Sequence, residues 1–291
     1  MERIVANPFR KIGIILEMIK FEHTIFALPF ALMSALVAAN GLPQWRIIGW
    51  LLAAMVGARS AAMTFNRIAD AKIDAQNPRT AKRAIPAGSV KFWEAWLFLI
   101  VSSAIFIFAA YMLNPLAFYL SPVTLAALLF YSYTKRFTSW SHLMLGFCLG
   151  IAPVGAWIAV TGKLELTPIA LLLAVTLWTG GFDIIYSLQD IDFDKNKGLF
   201  SLPSRLGPAR ALLLSRLFHI GMIGSLIWFG WMAGLGLFFR IGVLMVWGFL
   251  VYEHSLVSPK DFSKVNTAFF TINGFVSIGL LIFTTIDVLL Q

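Results

Sequence analysis

The chain has 291 residues, of which 59% are hydrophobic and only 13% are charged. Soluble domains are roughly 45–50% apolar and about 25% charged, so the composition excludes a soluble enzyme and predicts an integral membrane protein. The formal net charge of +9 could serve nucleic acid or anionic lipid, but in so apolar a chain we expect the basic residues to set the membrane topology. Membrane lipid is therefore an expected partner, and nucleic acid is not.

Apolar segments follow one another in chain order, each about the 20 residues that a membrane-spanning helix needs. They cover residues 16–39, 46–69, 91–113, 115–133, 140–161, 167–190, 208–233, 235–256 and 266–290. The first is too long for a signal peptide and lacks a small-residue cleavage site, so we expect it to be retained as a span. The segments predict an all-α polytopic membrane protein, with about nine transmembrane helices in one bundle around a central cavity. A single domain over residues 1–291 is expected.

Lysines and arginines fall mostly on one side of this predicted bundle. The long connections 70–90 and 191–207 are rich in both, whereas the other side holds only Arg46, Lys163 and Arg240. By the positive-inside rule, this asymmetry places the N-terminus and the two long loops in the cytoplasm. We therefore expect the chemistry at the cytoplasmic face.

The first of these loops begins with an acidic pattern, in the stretch TFNRIADAKIDAQNPRTAKRAIPAG at 64–88. Asn66, Asp70 and Asp74 recur at every fourth residue, so on a helix their side chains share one face. Seven residues before Asn66, Arg59 lies inside the apolar segment, where a guanidinium needs a polar cavity or a partner. The spacing predicts a polar stripe that runs out of the membrane along one helix.

The second loop begins with a similar pattern, in GGFDIIYSLQDIDFDKNKG at 180–198. Asp183, Tyr186, Asp190 and Asp194 are predicted to share one helix face, and the last three repeat the spacing of the first motif. Four spans separate the two motifs, so both emerge on the same side of the membrane.

Acidic helix ends that face each other repel, and a divalent cation relieves that repulsion. Ligand sets made only of oxygen suit Mg²⁺, which is usually bound through one or two carboxylates together with phosphate oxygens. The same loops carry the Lys and Arg side chains that suit a diphosphate. A single such Asp is ordinarily a solvated loop charge, but two matching triplets that continue an intramembrane polar stripe favour a functional site.

The two stretches together resemble the UbiA-type intramembrane aromatic prenyltransferases. The first is similar to the family's Asn/Asp-rich motif followed by Arg-Thr and a Pro-x-Gly turn, and the second resembles the Asp-x-x-Tyr-x-x-x-Asp-x-x-x-Asp pattern of the 4-hydroxybenzoate branch. The resemblance implies Mg²⁺-dependent transfer of a polyprenyl group from polyprenyl diphosphate to a ring carbon of an aromatic acid, with 4-hydroxybenzoate expected, in quinone biosynthesis. It also implies a bacterial inner-membrane location.

The resemblance implies roles for individual residues. Two Mg²⁺ ions are expected, with Asn66, Asp70 and Asp74 as implied ligands of one and Asp190 and Asp194 as implied ligands of the other. The four aspartates are the implied catalytic residues, and Asn66 is also implied in substrate binding. The basic residues implied at the diphosphate are Arg79, Lys135, Arg136 and Lys195. Arg59 is implied to bind the acceptor carboxylate, and Asp183 and Tyr186 fall where related members place donor-site and acceptor-orienting residues.

Several alternatives stay open at this point. The family's turn often reads Arg-Pro-Leu, whereas this chain has Arg83 followed by Ala-Ile-Pro, which could indicate a naphthoate-, haem- or homogentisate-like acceptor. From a different class, a polytopic transporter would also show intramembrane acids and a repeated element, although its site is expected nearer the midplane. His23, His142, His219 and His254 lack metal-ligand spacing and are predicted to pack or to form interfacial hydrogen bonds.

Overall fold

The computed structural model describes residues 8–19 and 24–291. Within those ranges the regular structure is helical, apart from an isolated bridge between Ser258 and Asp261. The α-helices are α1 (Pro8–Met18), α2 (Thr24–Ala39), α3 (Trp45–Asp74), α4 (Phe92–Leu113), α5 (Pro115–Thr134), α6 (Ser141–Thr161), α7 (Thr167–Ser187), α8 (Ile191–Lys197), α9 (Leu202–Leu206), α10 (Pro208–Met232), α11 (Leu237–Ser255) and α12 (Asn273–Leu290). The predicted all-α class is confirmed.

The number of spans is close to the predicted nine. In the described ranges, eight helical segments are long and apolar enough to cross a membrane, and Phe26–Ala39 is a shorter apolar helix. The predicted first span, 16–39, needs correction because it joins the end of α1, which stops at Met18, to the separate helix α2. Residues 1–7 and 20–23, including His23, lie outside the described residues.

Both acidic motifs follow directly from long apolar helices, but in different ways. Helix α3 continues to Asp74 and therefore carries the whole first motif, as its spacing predicts. The second motif does not lie on one continuous α-helical face. Helix α7 ends at Ser187, and a 3₁₀ turn over Leu188–Asp190 leads into α8. At Asp190 the backbone departs from α-helical geometry, with φ −107° and ψ 7°.

An aromatic core holds the helices together. Phe30, Trp178 and Phe182 are almost fully buried, and Trp178 lies 5.0 Å from both Phe30 and Phe182 between ring centroids. Phe26 adds an edge-on contact to Trp178 at 6.2 Å. These contacts join α2 to α7, while α7 also packs against α6 and α10, and α2 packs against α12.

Small residues allow α6 and α7 to approach closely. A Cβ atom on Gly146 would lie 2.2 Å from the backbone oxygen of Thr176, and one on Gly150 would lie 2.7 Å from the backbone oxygen of Leu172. Two glycines four residues apart form the small-xxx-small pattern that brings membrane helices into backbone contact. This crossing sets the position of α7, which carries the start of the second motif.

Asp287 has a structural role away from both motifs. Its carboxylate is buried near the end of α12 and accepts hydrogen bonds from the backbone N–H groups of Gly236, Phe238 and Phe239. The first N–H groups of a helix lack partners within the helix and favour negative charge. Asp287 therefore caps the start of α11, and the sequence analysis did not identify it.

Candidate functional site

Asp70 is at the centre of a charged cluster where α3 meets the end of α5. Its side chain is only 2% exposed and accepts a hydrogen bond of 2.6 Å from Lys135 Nζ and one of 3.0 Å from Arg136 Nη2. Asn66 Nδ2 adds a third at 3.2 Å. Because Asn66 and Asp70 are one helical turn apart, this last contact confirms that the two share a face, as their spacing predicts.

Asp74 is held by its own loop. Arg83 Nη1 lies 2.8 Å from each oxygen of the Asp74 carboxylate, and Thr80 Oγ1 donates to the Asp74 backbone oxygen at 3.1 Å. These contacts fold the residues after α3 back over the helix end. The loop is therefore ordered by the same carboxylate that the first motif supplies.

The two motifs meet through Arg79 and Asp190. Arg79 Nη2 and Nε donate to the two oxygens of Asp190 at 2.6 and 3.0 Å, and Asn77 Nδ2 lies 3.4 Å from the same carboxylate. Arg79 Nη1 also donates to the Tyr186 hydroxyl at 3.2 Å. Burial by itself lowers the pKa of Arg79, but the hydrogen bond and charge of Asp190 more than offset it, so that the pKa is raised. Arg79 is therefore held as a cation at the junction of the two motifs.

His142 fixes the orientation of Asp183. The Nδ1 atom of His142 lies 2.7 Å from Asp183 Oδ2, and its Nε2 accepts a hydrogen bond from the Leu202 backbone N–H at 3.3 Å. Since a nitrogen that accepts from an N–H carries no proton, Nδ1 holds the proton and donates it to the carboxylate. This pair connects α6, α7 and the start of α9.

These clusters surround one polar cavity of about 200 Å³. Its lining includes the predicted residues Asn66, Asp70, Asp74, Arg79, Lys135, Asp183, Asp190 and Asp194. Residues from α3, α5, α6, α7, α8 and the segments between them thus converge on one space. Carboxylates and cations both line it, an arrangement that can bind a polyanion together with divalent cations.

The remaining predicted residues lie outside this lining. Arg136 donates a hydrogen bond to the cavity residue Asp70, and Tyr186 accepts one from the cavity residue Arg79. Lys195 is exposed on α8, and Arg59 is half-buried within the membrane span of α3. Since α3 rises about 1.5 Å per residue, Arg59 is about 10 Å deeper along the helix than Asn66.

Sequence reasoning missed several residues that the structure brings to the cavity. Asn77 had only the general signal of a polar loop residue near the motif, and His142 had only its position in an otherwise apolar segment. Arg67 is buried, lines the cavity and donates from Nε to the Met18 backbone oxygen at 3.2 Å.

The donor chemistry of the cavity fits Mg²⁺, because its five carboxylates and the amide oxygen of Asn66 are hard oxygen ligands. In the part of the chain that the structure describes, no three Asp, Glu, His or Cys side chains surround one point. A Mg²⁺ ion bound through one or two carboxylates and substrate phosphate needs no such group. Asp70, Asp74 and Asp190 are each paired with Lys or Arg, which are the side chains that a bound diphosphate would take as partners.

The fold and the site define a polytopic membrane enzyme with a charged cavity at one end of its helical bundle. The UbiA prenyltransferase family model matches residues 27–276, and the chain belongs to that family. The 4-hydroxybenzoate octaprenyltransferase of Shewanella woodyi is 28% identical, over 96% of this chain and 98% of its own length. That of Vibrio parahaemolyticus is 31% identical, over 84% of this chain and 87% of its own.

Solved structures agree with this assignment. The apo structure of a UbiA homolog from Aeropyrum pernix is 36% identical and superposes with a TM-score of 0.83, covering 91% of this chain and 98% of that one. A UbiA homolog from Archaeoglobus fulgidus bound to DMAPP and Mg²⁺ is 18% identical with a TM-score of 0.74, over 95% and 99% of the two chains. At that identity the likeness concerns the fold alone. The chain is thus a prenyltransferase, and the transporter alternative is set aside.

Proposed function

We propose that this enzyme transfers a polyprenyl group from polyprenyl diphosphate to a ring carbon of 4-hydroxybenzoate, in quinone biosynthesis. The observation that carries the proposal is the contact between Arg79 and Asp190, at 2.6 and 3.0 Å. It joins the loop after the first acidic motif to the second motif. A diphosphate in the polar cavity therefore has acids and cations from both motifs within one enclosed space. The names of the Shewanella and Vibrio relatives support 4-hydroxybenzoate as the acceptor.

The acidic residues are proposed to hold two Mg²⁺ ions. Asn66, Asp70 and Asp74 would hold one, and Asp190 and Asp194 would hold the other. When bound, Mg²⁺ supplies positive charge that offsets the negative charge growing on the diphosphate as its bond to the allylic carbon lengthens. The Archaeoglobus structures with Mg²⁺ and a prenyl diphosphate support this ligand class.

The basic residues are proposed to bind the diphosphate oxygens. Lys135, Arg136, Arg79 and Arg83 each have a side chain that is about one-third exposed, so each can turn from its carboxylate partner towards a ligand in the cavity. Charge-assisted hydrogen bonds from such groups strengthen as the leaving group becomes more anionic. They therefore stabilise the transition state more than the bound substrate.

The acceptor is proposed to lie beside the allylic carbon, deeper in the bundle. Arg59, at the membrane end of the stripe on α3, would receive the acceptor carboxylate through a charge-assisted pair. Asp183, oriented by His142, and Tyr186 would flank the acceptor from α7. The ring carbon next to the phenol hydroxyl attacks the allylic carbon, and loss of the ring proton then restores aromaticity. The isoprenoid tail is too apolar for water and is expected to extend between helices towards lipid.

The orientation of the protein in the membrane is part of the same proposal. The cavity lies on the side where Lys and Arg are concentrated, and the positive-inside rule favours the cytoplasm for that side. A water-soluble acceptor and Mg²⁺ would then reach the cavity from the cytoplasm of a bacterial cell. The protein would lie in the inner membrane with its N-terminus inside.

The proposal is tested with purified protein in detergent, geranyl diphosphate, Mg²⁺ and a panel of acceptors. We expect prenylated 4-hydroxybenzoate, formed faster than any naphthoate, homogentisate or haem product. Preferred prenylation of another panel member would replace the acceptor and leave the donor chemistry intact. A folded preparation that turns over none of the panel would contradict the proposal.

A further inference from the structure

A π-helical turn over Thr267–Ile272 precedes α12. Such turns are rare, and they are frequent at functional sites when they occur. The ring of Phe269 in this turn lies 4.3 Å from that of Tyr186 between centroids and 5.2 Å from that of Phe182. The turn therefore packs directly against the second motif.

Asn273 holds the turn in place from the first residue of α12. Its Nδ2 donates to the backbone oxygens of Ala268 and Phe269 at 3.1 and 3.2 Å, and also to Glu253 Oε1 at 3.1 Å. Its Oδ1 accepts from Trp178 Nε1 at 2.6 Å. Asn273, Glu253 and Trp178 are all fully buried. One amide thus ties the π turn to α7 and α11.

The presence of Glu253 in this network is informative. An ionisable group enclosed by apolar helices is costly unless it is hydrogen-bonded, and within a membrane protein it marks a functional candidate. Glu253 lies outside the polar cavity, so the proposed reaction does not use it directly. Its contact with Asn273 connects it to the turn, and through the turn to the second motif.

Tyr186 connects the π turn to the cavity. On one side it packs against Phe269. It also accepts a hydrogen bond from Arg79 at 3.2 Å, and the guanidinium carbon of Arg79 lies 5.5 Å from its ring centroid. Arg79 in turn makes two hydrogen bonds to Asp190. An unbroken series of contacts therefore runs from the π turn to the junction of the two motifs.

We propose that Asn273 and Glu253 are positioning residues for binding of the prenyl donor. They fix the π turn, whose Phe269 keeps Tyr186 in place, and Tyr186 holds Arg79 ready for the diphosphate. Arg79 has a long side chain that is 35% exposed. Because Tyr186 already orders this side chain, less conformational entropy is lost when the donor binds. The inference rests on the donor role proposed above for Arg79.

The first test removes the aromatic support and keeps apolar bulk. Phe269→Leu is compared with Phe229→Leu, a matched change at another buried ring, which packs against Phe239. For each variant we measure the Kd for geranyl diphosphate with Mg²⁺, the acceptor KM and the unfolding temperature. We expect Phe269→Leu to weaken donor binding about tenfold. Its acceptor KM should stay at the wild-type value, and its unfolding temperature should match that of the Phe229 variant.

The second test addresses Glu253. Glu253→Gln keeps an oxygen that accepts from Asn273, whereas Glu253→Met removes it at similar size. We expect the Met variant to weaken donor binding by a factor similar to that of Phe269→Leu, and the Gln variant to restore it. Rescue by the amide would show that the hydrogen bond acts on the donor site, since a general loss of stability lowers the amount of folded enzyme without a selective change in donor affinity.

Arg79→Gln distinguishes a failure of the positioning role from a failure of the proposed donor site. If Arg79→Gln weakens donor binding while Phe269→Leu does so no more than Phe229→Leu, the positioning role is refuted and the donor site stands. Equal loss of donor and acceptor affinity in the Met variant would also refute it. If Arg79→Gln leaves the donor Kd unchanged, the proposed donor role fails, and the inference fails with it.

Discussion

Replacing Asp70 by Asn is the most informative single change in the polar cavity. The substitution keeps the shape of the side chain but removes the charge that accepts from Lys135 at 2.6 Å and from Arg136 at 3.0 Å. Hydrogen bonds to charged groups contribute about 1.5–3 kcal/mol each. Here both cations are about one-third exposed and regain water when the carboxylate is lost. We therefore expect a net destabilisation of about 1–3 kcal/mol.

The effect of this change on catalysis should be larger. A neutral amide binds Mg²⁺ more weakly than a carboxylate does, and it leaves the cavity with one negative charge fewer. We expect kcat to fall at least about 100-fold, which corresponds to on the order of 3 kcal/mol of transition-state stabilisation. Partial unfolding cannot produce that loss, because a stability of about 5–15 kcal/mol leaves the variant folded.

The assay combines product formation by chromatography with thermal unfolding in the same detergent. Asp192→Asn is the matched control, because Asp192 lies between Asp190 and Asp194 in the sequence yet is exposed and outside the cavity lining. It should keep wild-type activity. The reasoning is refuted if Asp70→Asn retains half of the activity, or if the control loses as much as the test variant.

Three further predictions concern other parts of the molecule. Arg79→Lys keeps the charge but cannot make two parallel hydrogen bonds to the diphosphate, so donor KM should rise about tenfold; an unchanged donor KM would count against Arg79 as a bidentate ligand of the diphosphate. Arg59→Gln should raise acceptor KM at least about tenfold and leave donor KM unchanged, whereas the reverse pattern would move Arg59 to the donor. Gly146→Ala places a methyl group against the backbone of α7 and should lower stability by about 1–3 kcal/mol. Gly155→Ala on the same helix is the control, because nothing lies within 4 Å of its added Cβ, and it should not lower stability in unfolding measurements. Equal stability of the two variants would contradict the close crossing.

Local periodicity predicted the first motif well because its residues lie on one regular helix. The spacing of Asn66 and Asp70 needs only the rise and twist of an α-helix, and the hydrogen bond between them confirms it. The apolar lengths of most spans are equally local properties. Such features can be read from neighbouring residues alone.

Contacts between distant residues were beyond the same reasoning. The hydrogen bond between Arg79 and Asp190 joins positions 111 residues apart, and the 3₁₀ turn over Leu188–Asp190 interrupts the α-helix that the spacing predicts. In the sequence, His142 is only a polar residue in an apolar segment, because its partner Asp183 lies on another helix. Glu253 and Asn273 were missed for the same reason, because they lie on different helices and come together only in the fold.

The central claim is that the two acidic motifs jointly hold one diphosphate. It is tested most directly by a crystal structure with a non-reactive thio analogue of geranyl diphosphate and Mn²⁺, whose anomalous signal locates the metal. We expect metal at about 2.0–2.2 Å from carboxylate oxygens of both motifs, with the diphosphate between them and Arg79 turned towards it. Metal and diphosphate bound by only one motif, with Asp190 still paired to Arg79, would contradict the account.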